Sequence, residues 1–252
     1  MQLYHKIIFL VVGIFICTTF TSCHKNKKNS GSGNVVVEEG LISGKDVKFP
    51  DSFGKWESLE IPIGITLDGE KTFSLSGKAY FINNRELLIS LRMMGFEVAQ
   101  IYADTDSVFL LEKYHKFYLA ESMKKLGSEL GVTIGDLQGF MLGQPSSPLK
   151  DTQNFSVFYK WDKKTAMLYG VGFLRNGEPA AGCSYESIVE TEHGPLASKI
   201  EFAATLGEYE CGGTLTYKPA QAKWNSITEP LKFKHPGKDY KLMSPASLLK
   251  GF

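Results

Sequence analysis

Histidine is scarce in this 252-residue chain, and its five copies do not cluster. His5, His24, His115, His193 and His235 never stand four apart, and neither H-E-x-x-H nor C-x-x-C occurs. The spacings that hold zinc are therefore missing, and no metal site is expected. A nucleophile elbow is missing too, since "GCSYE" around Ser184 lacks the glycine two positions on. The glycines of "ECGGT" have no helix after them and make no phosphate loop. Asp104 and Asp106 read as a polar hairpin turn. Charge of one sign is lacking as well. Lys and Arg total 28 against 27 Asp and Glu, with no basic block in the patterned region, so nucleic acid is not an expected partner. No catalytic constellation and no cofactor signature remain, and the expectation is a binding protein without enzymatic activity. The alternative within chemistry is a hydrolase whose site the sequence does not display.

A membrane-spanning run is also lacking. "IIFLVVGIFICTTF" falls short of the about 20 apolar residues a spanning helix needs. After the basic start through Lys6, with His5 beside it, the run suits a secretory leader over 1–22. Thr21-Ser22-Cys23 resembles a bacterial lipobox, although Phe20 stands where leucine is usual. Cys23 is then the acylated first residue of the mature chain, palmitate among its lipids. Ordinary leader cleavage and an uncleaved anchor are the alternatives. Loss of Lys6 leaves 27 cations against 27 carboxylates. "HKNKKNSGSGN" has the solvated, flexible composition of a tether. The expected organisation is a leader at 1–22, a lipidated tether at 23–57 and one domain at 58–252.

Cysteine then reduces to Cys183 and Cys211. An oxidising compartment invites a disulfide between them. Counting through two hairpins instead places them two strands apart, about 10 Å, whereas bridged Cβ atoms lie about 4 Å apart.

What is present is period-two alternation. Ile61, Ile63, Ile65 and Leu67 share one parity, as do Phe73, Leu75, Ala79 and Phe81, then Leu87, Ile89, Leu91 and Met93. "DGE", "NNR", "DTD" and "YHK" punctuate these runs as hairpin turns. Met123, Leu126 and Leu130, then Ile134, Leu137, Phe140 and Met141, recur at helical spacing. Strands resume at 155–161, 165–174, 182–190, 197–206, 209–217 and near 226–233. Runs such as "VFLL" and "AMLYGVGFL" are apolar on both parities, which a sheet with one wet face would not carry. The pattern predicts a mainly β fold: an antiparallel open half-barrel of about eleven strands with two covering helices. Its interior should be apolar, with acyl chains as the natural ligand class.

One connection breaks the rule that turns are polar. "RMMGFE", residues 92–97, offers two methionines and a phenylalanine around Gly95. It is either buried or exposed to touch something apolar.

From this stretch to Leu142-Gly143-Gln144-Pro145 the chain resembles the outer-membrane lipoprotein receptors of the LolB family. It is closer still to the LolB-like domain of bacteroidete lipoproteins. In both, a strand ends in an apolar residue and a glycine, and the second helix ends in Leu-Gly-x-Pro. The resemblance covers residues 86–145 at motif level. It implies an open half-barrel with an apolar cavity that accepts acylated lipoproteins from a soluble LolA-type carrier and delivers them to the inner leaflet of the outer membrane. The apolar residue before the glycine enters the bilayer in that family; by position it is Met94, with Met93 and Phe96 as support. Arg92-Met93 replaces the family's frequent residue-proline pair, and Arg92 is in reach of lipid phosphates. The cavity wall is expected from Phe73, Leu75, Ile89, Leu91, Val98, Phe140 and Met141. No acidic run follows Cys23, and the resemblance then implies the periplasmic face. The alternative is an outer-membrane assembly lipoprotein that binds a protein partner through apolar surfaces. A cavity of several hundred Å³ favours the first reading, and a filled core with an outer apolar patch favours the second.

Overall fold

The computed structural model describes residues 42–243 apart from 52, 69–72, 163, 166, 207 and 208. The expected leader, Cys23 and the start of the tether lie outside the described residues. The chain builds β1 (Ile42–Ser43), β2 (Ser58–Leu67), β3 (Phe73–Ile82), β4 (Glu86–Met93), β5 (Phe96–Ala103), β6 (Ser107–Glu112) and β7 (Phe117–Ser122). Two helices follow, α1 (Met123–Leu130) and α2 (Ile134–Leu142). Then come β8 (Ser156–Asp162), β9 (Met167–Arg175), β10 (Glu178–Thr191), β11 (Gly194–Leu206) and β12 (Tyr209–Tyr217). Two short pieces, β13 (Lys223–Trp224) and β14 (Lys241–Leu242), close the order.

All strands join one sheet in the order β1-β8-β9-β10-β11-β12-β2-β3-β4-β5-β6-β7-β14, with β13 beside β2. Among the described residues eleven strands have six residues or more, and the three short pieces raise the total to fourteen. Every pair is antiparallel except β14 with β7, which is parallel. Two meanders, β2–β7 and β8–β12, meet where β12 pairs with β2. The sheet does not close, and the helices carry the chain from the β7 edge to the β8 edge.

Alternation sets the inner face. Ile61, Ile63, Ile65 and Leu67 are buried, and so are Leu87, Ile89 and Leu91 two strands away. Thr133 caps α2 reciprocally with Asp136, and Gly143 ends it in the left-handed region. Gln138 on α2 is fully buried; its amide donates to the carbonyls of Ile82 and Glu86 at 2.9 and 2.7 Å. Its oxygen accepts from the Asn84 N–H at 2.8 Å. Two residues on, the Phe140 carbonyl accepts from the Tyr185 hydroxyl of β10 at 2.9 Å. β4 and β10 stand five strand spacings apart in the sheet, about 24 Å if flat. Both reach one helix of nine residues, about 14 Å long. The sheet is therefore curled around α2.

Over β4–β7 the outer face is covered by residues 231–243. Phe233 stacks on Tyr102 with ring centroids 4.6 Å apart, and His235 meets Phe109 edge-on. The Leu231 N–H donates to the Glu86 carboxylate at 2.7 Å. Asp239 pairs with Lys116, and β14 seats on β7. This strap explains why "VFLL" is apolar on both parities. It also corrects the strand expected near 226–233, which is irregular chain except for the two-residue β13 before it. Its aromatic residues bond by ring contact to side chains of the sheet, so they alternate like a strand without pairing as one. A second correction concerns the tether. Val47, Phe49, Phe53 and Trp56 are buried in the core, and Phe49 contacts Tyr159 and Trp161 edge-on. Residues 42–57 belong to the folded domain, because four large apolar side chains are withdrawn from water there.

Candidate functional site

An apolar cavity of about 130 Å³ lies between α2 and the second meander. Leu137, Phe140 and Met141 of α2 form one wall, with Leu130 from the end of α1 and Val132 from the link between the helices. Phe173 of β9, Cys183 of β10, Ile200 and Phe202 of β11 and Leu215 of β12 form the other. Phe140 and Phe173 meet edge-on across it, with centroids 6.2 Å apart. The only polar side chain on the wall is the Cys183 thiol, which donates to the Tyr185 oxygen at 3.2 Å. Burial pushes this thiol up to about 11, against the opposing effect of the hydrogen bond to Tyr185. Burial likewise pushes the Tyr185 and Tyr217 hydroxyls well above their ordinary value. The neutral Tyr217 hydroxyl donates to the Met141 carbonyl at 2.8 Å. Two tyrosines of the sheet thus hold the last turn of α2 against the cavity.

The Leu142–Pro145 signature serves the same attachment. Leu142 is fully buried, and the Gln144 amide donates to the Pro195 carbonyl at 2.8 Å. The Gln144 N–H returns to the Gly139 carbonyl at 2.8 Å. A Cβ on Gly139 would lie 2.6 Å from the Pro145 Cα, so only glycine admits this close return.

Of the residues expected to wall a cavity, Phe140 and Met141 border this one. Leu75, Ile89, Leu91 and Val98 are buried in the packed core of the first meander and do not border it. Phe73 opens β3, and its side chain lies outside the described residues. The sequence reading missed Phe173, Cys183, Ile200, Phe202 and Leu215. For Cys183, Ile200 and Phe202 the signal was present in the same-parity apolar residues of 182–190 and 197–206. Cys183 is a free thiol: it pairs with Phe202, whereas Cys211 pairs with Ala204 on the other side of β11.

The "RMMGFE" turn is exposed. Met94 and Gly95 join β4 to β5 as a two-residue turn with φ of 50° and 86°. Met94 is 93% exposed and Phe96 77%, while Met93 packs half-buried against the core. Arg92 is exposed at the end of β4. Beneath the turn, burial pushes the Glu97 carboxyl up, but hydrogen bonds from Lys113, Ser90 and Gln100 outweigh it and hold the group below its usual value. Asp104 accepts from the N–H groups of Asp106 and Ser107 at 2.8 and 2.7 Å, the hydrogen bonding of a turn. Among the described residues no three His, Cys, Asp or Glu side chains are grouped to hold a metal ion.

No protein-family model matches the sequence, and no curated protein matches it. Solved structures do match in shape. A DUF1329 family protein from Desulfovibrio piger aligns with TM-score 0.51 at 8% identity, over 72% of this chain and 91% of its own. A candidate outer membrane lipoprotein-sorting domain from Vibrio parahaemolyticus aligns with TM-score 0.50 at 9% identity, over 71% and 90%. A LolA superfamily protein from Nitrosomonas europaea aligns at 0.46 and 10% identity, over 74% and 95%. At these identities the likeness is one of fold.

Proposed function

We propose that this chain, which has the LolA/LolB-like fold, is a non-enzymatic binding protein of the cell envelope that takes up the end of an acyl chain. The observation that carries the reading is the apolar cavity between α2 and β9–β12. A cavity of about 150 Å³ holds one benzene-sized apolar guest. At about 130 Å³ the site therefore takes a chain terminus, and a longer segment would extend out through its open mouth. Cys23 would anchor the chain by its acyl groups to the inner leaflet of the outer membrane, where two chains give stable attachment. Met94, supported by Met93 and Phe96, would touch the bilayer, with Arg92 toward the phosphates. A LolA-type carrier would be the source of acylated clients. The reading is supported by the domain from Vibrio parahaemolyticus, described as lipoprotein-sorting, through shared fold.

The test is displacement of a fluorescent fatty acid from the full chain and from Ala181→Phe. Ala181 borders the cavity, and the larger ring fills it. Binding by the parent chain and at least tenfold weaker binding by the variant are expected. Equal binding by both would remove the cavity as the acyl site.

The exposed Met94 and Phe96 favour a second reading, an assembly lipoprotein that docks a protein partner there. No fatty acid binding by the parent chain, with a protein partner lost on Met94→Glu, would support it.

A further inference from the structure

The β4–β5 turn has an apolar neighbour. The Lys113 N–H donates to the Val98 carbonyl at 2.9 Å, which brings the β6–β7 turn, residues 113–116, beside it. Tyr114 in that turn is 72% exposed. Leu242 on β14 stands next to the start of β7 at the same end of the sheet, and is also exposed. Six large apolar residues are notably exposed among the described residues; four of them, Met94, Phe96, Tyr114 and Leu242, share this end.

Cations surround them. Residues 92–97, 112–116 and 237–243 hold Arg92, Lys113, Lys116, Lys238 and Lys241 against Glu97, Glu112 and Asp239. Each of the three carboxylates has donors within the protein. Glu97 is held by Lys113, Ser90 and Gln100, and Asp239 by Lys116. Glu112 accepts from the N–H groups of Tyr114 and His115 at 3.0 and 2.7 Å. These three neighbouring segments thus carry five cations against three carboxylates, on a chain whose total is only +1.

We infer that this end is a two-point contact for a membrane surface rich in anionic headgroups, with Met94 and Phe96 as one point and Tyr114 as the other. The inference rests on the bilayer-facing role given to Met94 above. Apolar points projecting on separate turns suit a deformable bilayer, into which each sinks independently. A tyrosine fits the headgroup level, where its ring meets the acyl boundary and its hydroxyl the water. Lysines with long stems reach phosphates while their methylenes stay near the apolar surface. Protein interfaces are depleted in lysine, and four of the five cations here are lysines.

The three native tryptophans, Trp56, Trp161 and Trp224, lie toward the opposite end of the sheet, where β3 passes to β4, β8 to β9 and β10 to β11. Tryptophan fluorescence therefore reads the contact. The full chain, and the variants Met94→Trp and Tyr114→Trp, are reconstituted with vesicles of phosphatidylglycerol or of phosphatidylcholine, each with brominated acyl chains. Both introduced tryptophans should be quenched beyond the parent chain, and more strongly in phosphatidylglycerol. Adding Arg92→Gln and Lys241→Gln should lower the ratio of docked to free tip roughly thirtyfold. Quenching at 94 alone would overturn the second point and leave the Met94 role standing. Equal quenching in both lipids would overturn the preference for anionic headgroups. Quenching at neither position would overturn the contact and the Met94 role together, and would pass this surface to a protein partner. The acyl cavity is unaffected by any of these results, because fatty acid displacement measures it separately.

Discussion

Asn176-Gly177 joins β9 to β10 with φ of 53° and 84°, and Met94-Gly95 joins β4 to β5 with φ of 50° and 86°. The two hairpins sit at the same end of the sheet and share one backbone shape, the tight turn that matches strand twist. Asparagine followed by glycine is what that shape favours, since asparagine tolerates the left-handed region through local hydrogen bonding. Methionine gains nothing from such bonding and holds the same φ at a steric cost of about 1 kcal/mol. Nothing within the turn repays it, for Met94 projects 93% exposed. Turn chemistry therefore accounts for Asn176, and the outside contact proposed above would give Met94 a reason.

A third left-handed residue tests how far a turn can be held from outside. Asn84 (φ 57°) lies at the opposite end of the sheet and donates its N–H to the buried Gln138 oxygen. Gln138→Leu leaves that donor and two carbonyls without their partner, and should cost about 3 kcal/mol. Urea unfolding measures it, and a loss below about 1 kcal/mol would mean that water replaces the glutamine. A smaller effect comes from exchanging the two tip turns. Met94→Asn should stabilise the fold by about 1 kcal/mol, and Asn176→Met should destabilise it by about the same. Met94→Asn should also weaken contact with vesicles, giving a more stable protein with a blunted tip. If it loses stability instead, the methionine has a packing role and the comparison fails.

The smallest effect concerns pH. Only the Met94 turn stands on a carboxylate, Glu97, that lysine and hydroxyl donors hold below its ordinary value. Its contribution is present above the ordinary carboxylate range and fades as pH falls through the depressed value. The group is partly exposed, so the loss on acidification should stay under about 1 kcal/mol. Lys113→Gln should shift that loss to higher pH, read from unfolding free energies across the acidic range. An unchanged profile would show that Ser90 and Gln100 suffice.

Much of the fold was legible because its signals are local. Alternating isoleucines specify a strand face whatever they later touch, and "NNR" or "RNGEP" specify a turn from the residues alone. The helix stripe from Met123 to Met141 was equally direct, whereas the Thr133 cap of α2 was seen only in the structure. The candidate site was half legible. Phe140 and Met141 were named from the stripe, whereas Phe173, Ile200 and Phe202 were not, since their strands look like any other inward-facing strands. A cavity is volume left over after packing, and packing joins residues far apart in sequence. The strap over Tyr102 and Phe109 escaped for a related reason. Phe233 and His235 alternate like a strand, and only their ring contacts distinguish a covering segment from a paired one.

By itself the sequence determined the mainly antiparallel architecture, the interruption by two helices, and the presence of one apolar turn among polar ones. These follow from backbone periods of two and 3.6 residues and from turn stereochemistry. The tertiary structure alone decided that α2 leaves a gap against β9–β12 and packs tightly elsewhere. It also decided that "RMMGFE" projects into the open with Tyr114 beside it. Exposure is not a property of a turn's residues; it depends on whether any other part of the chain folds back over them, and among the described residues nothing buries Met94.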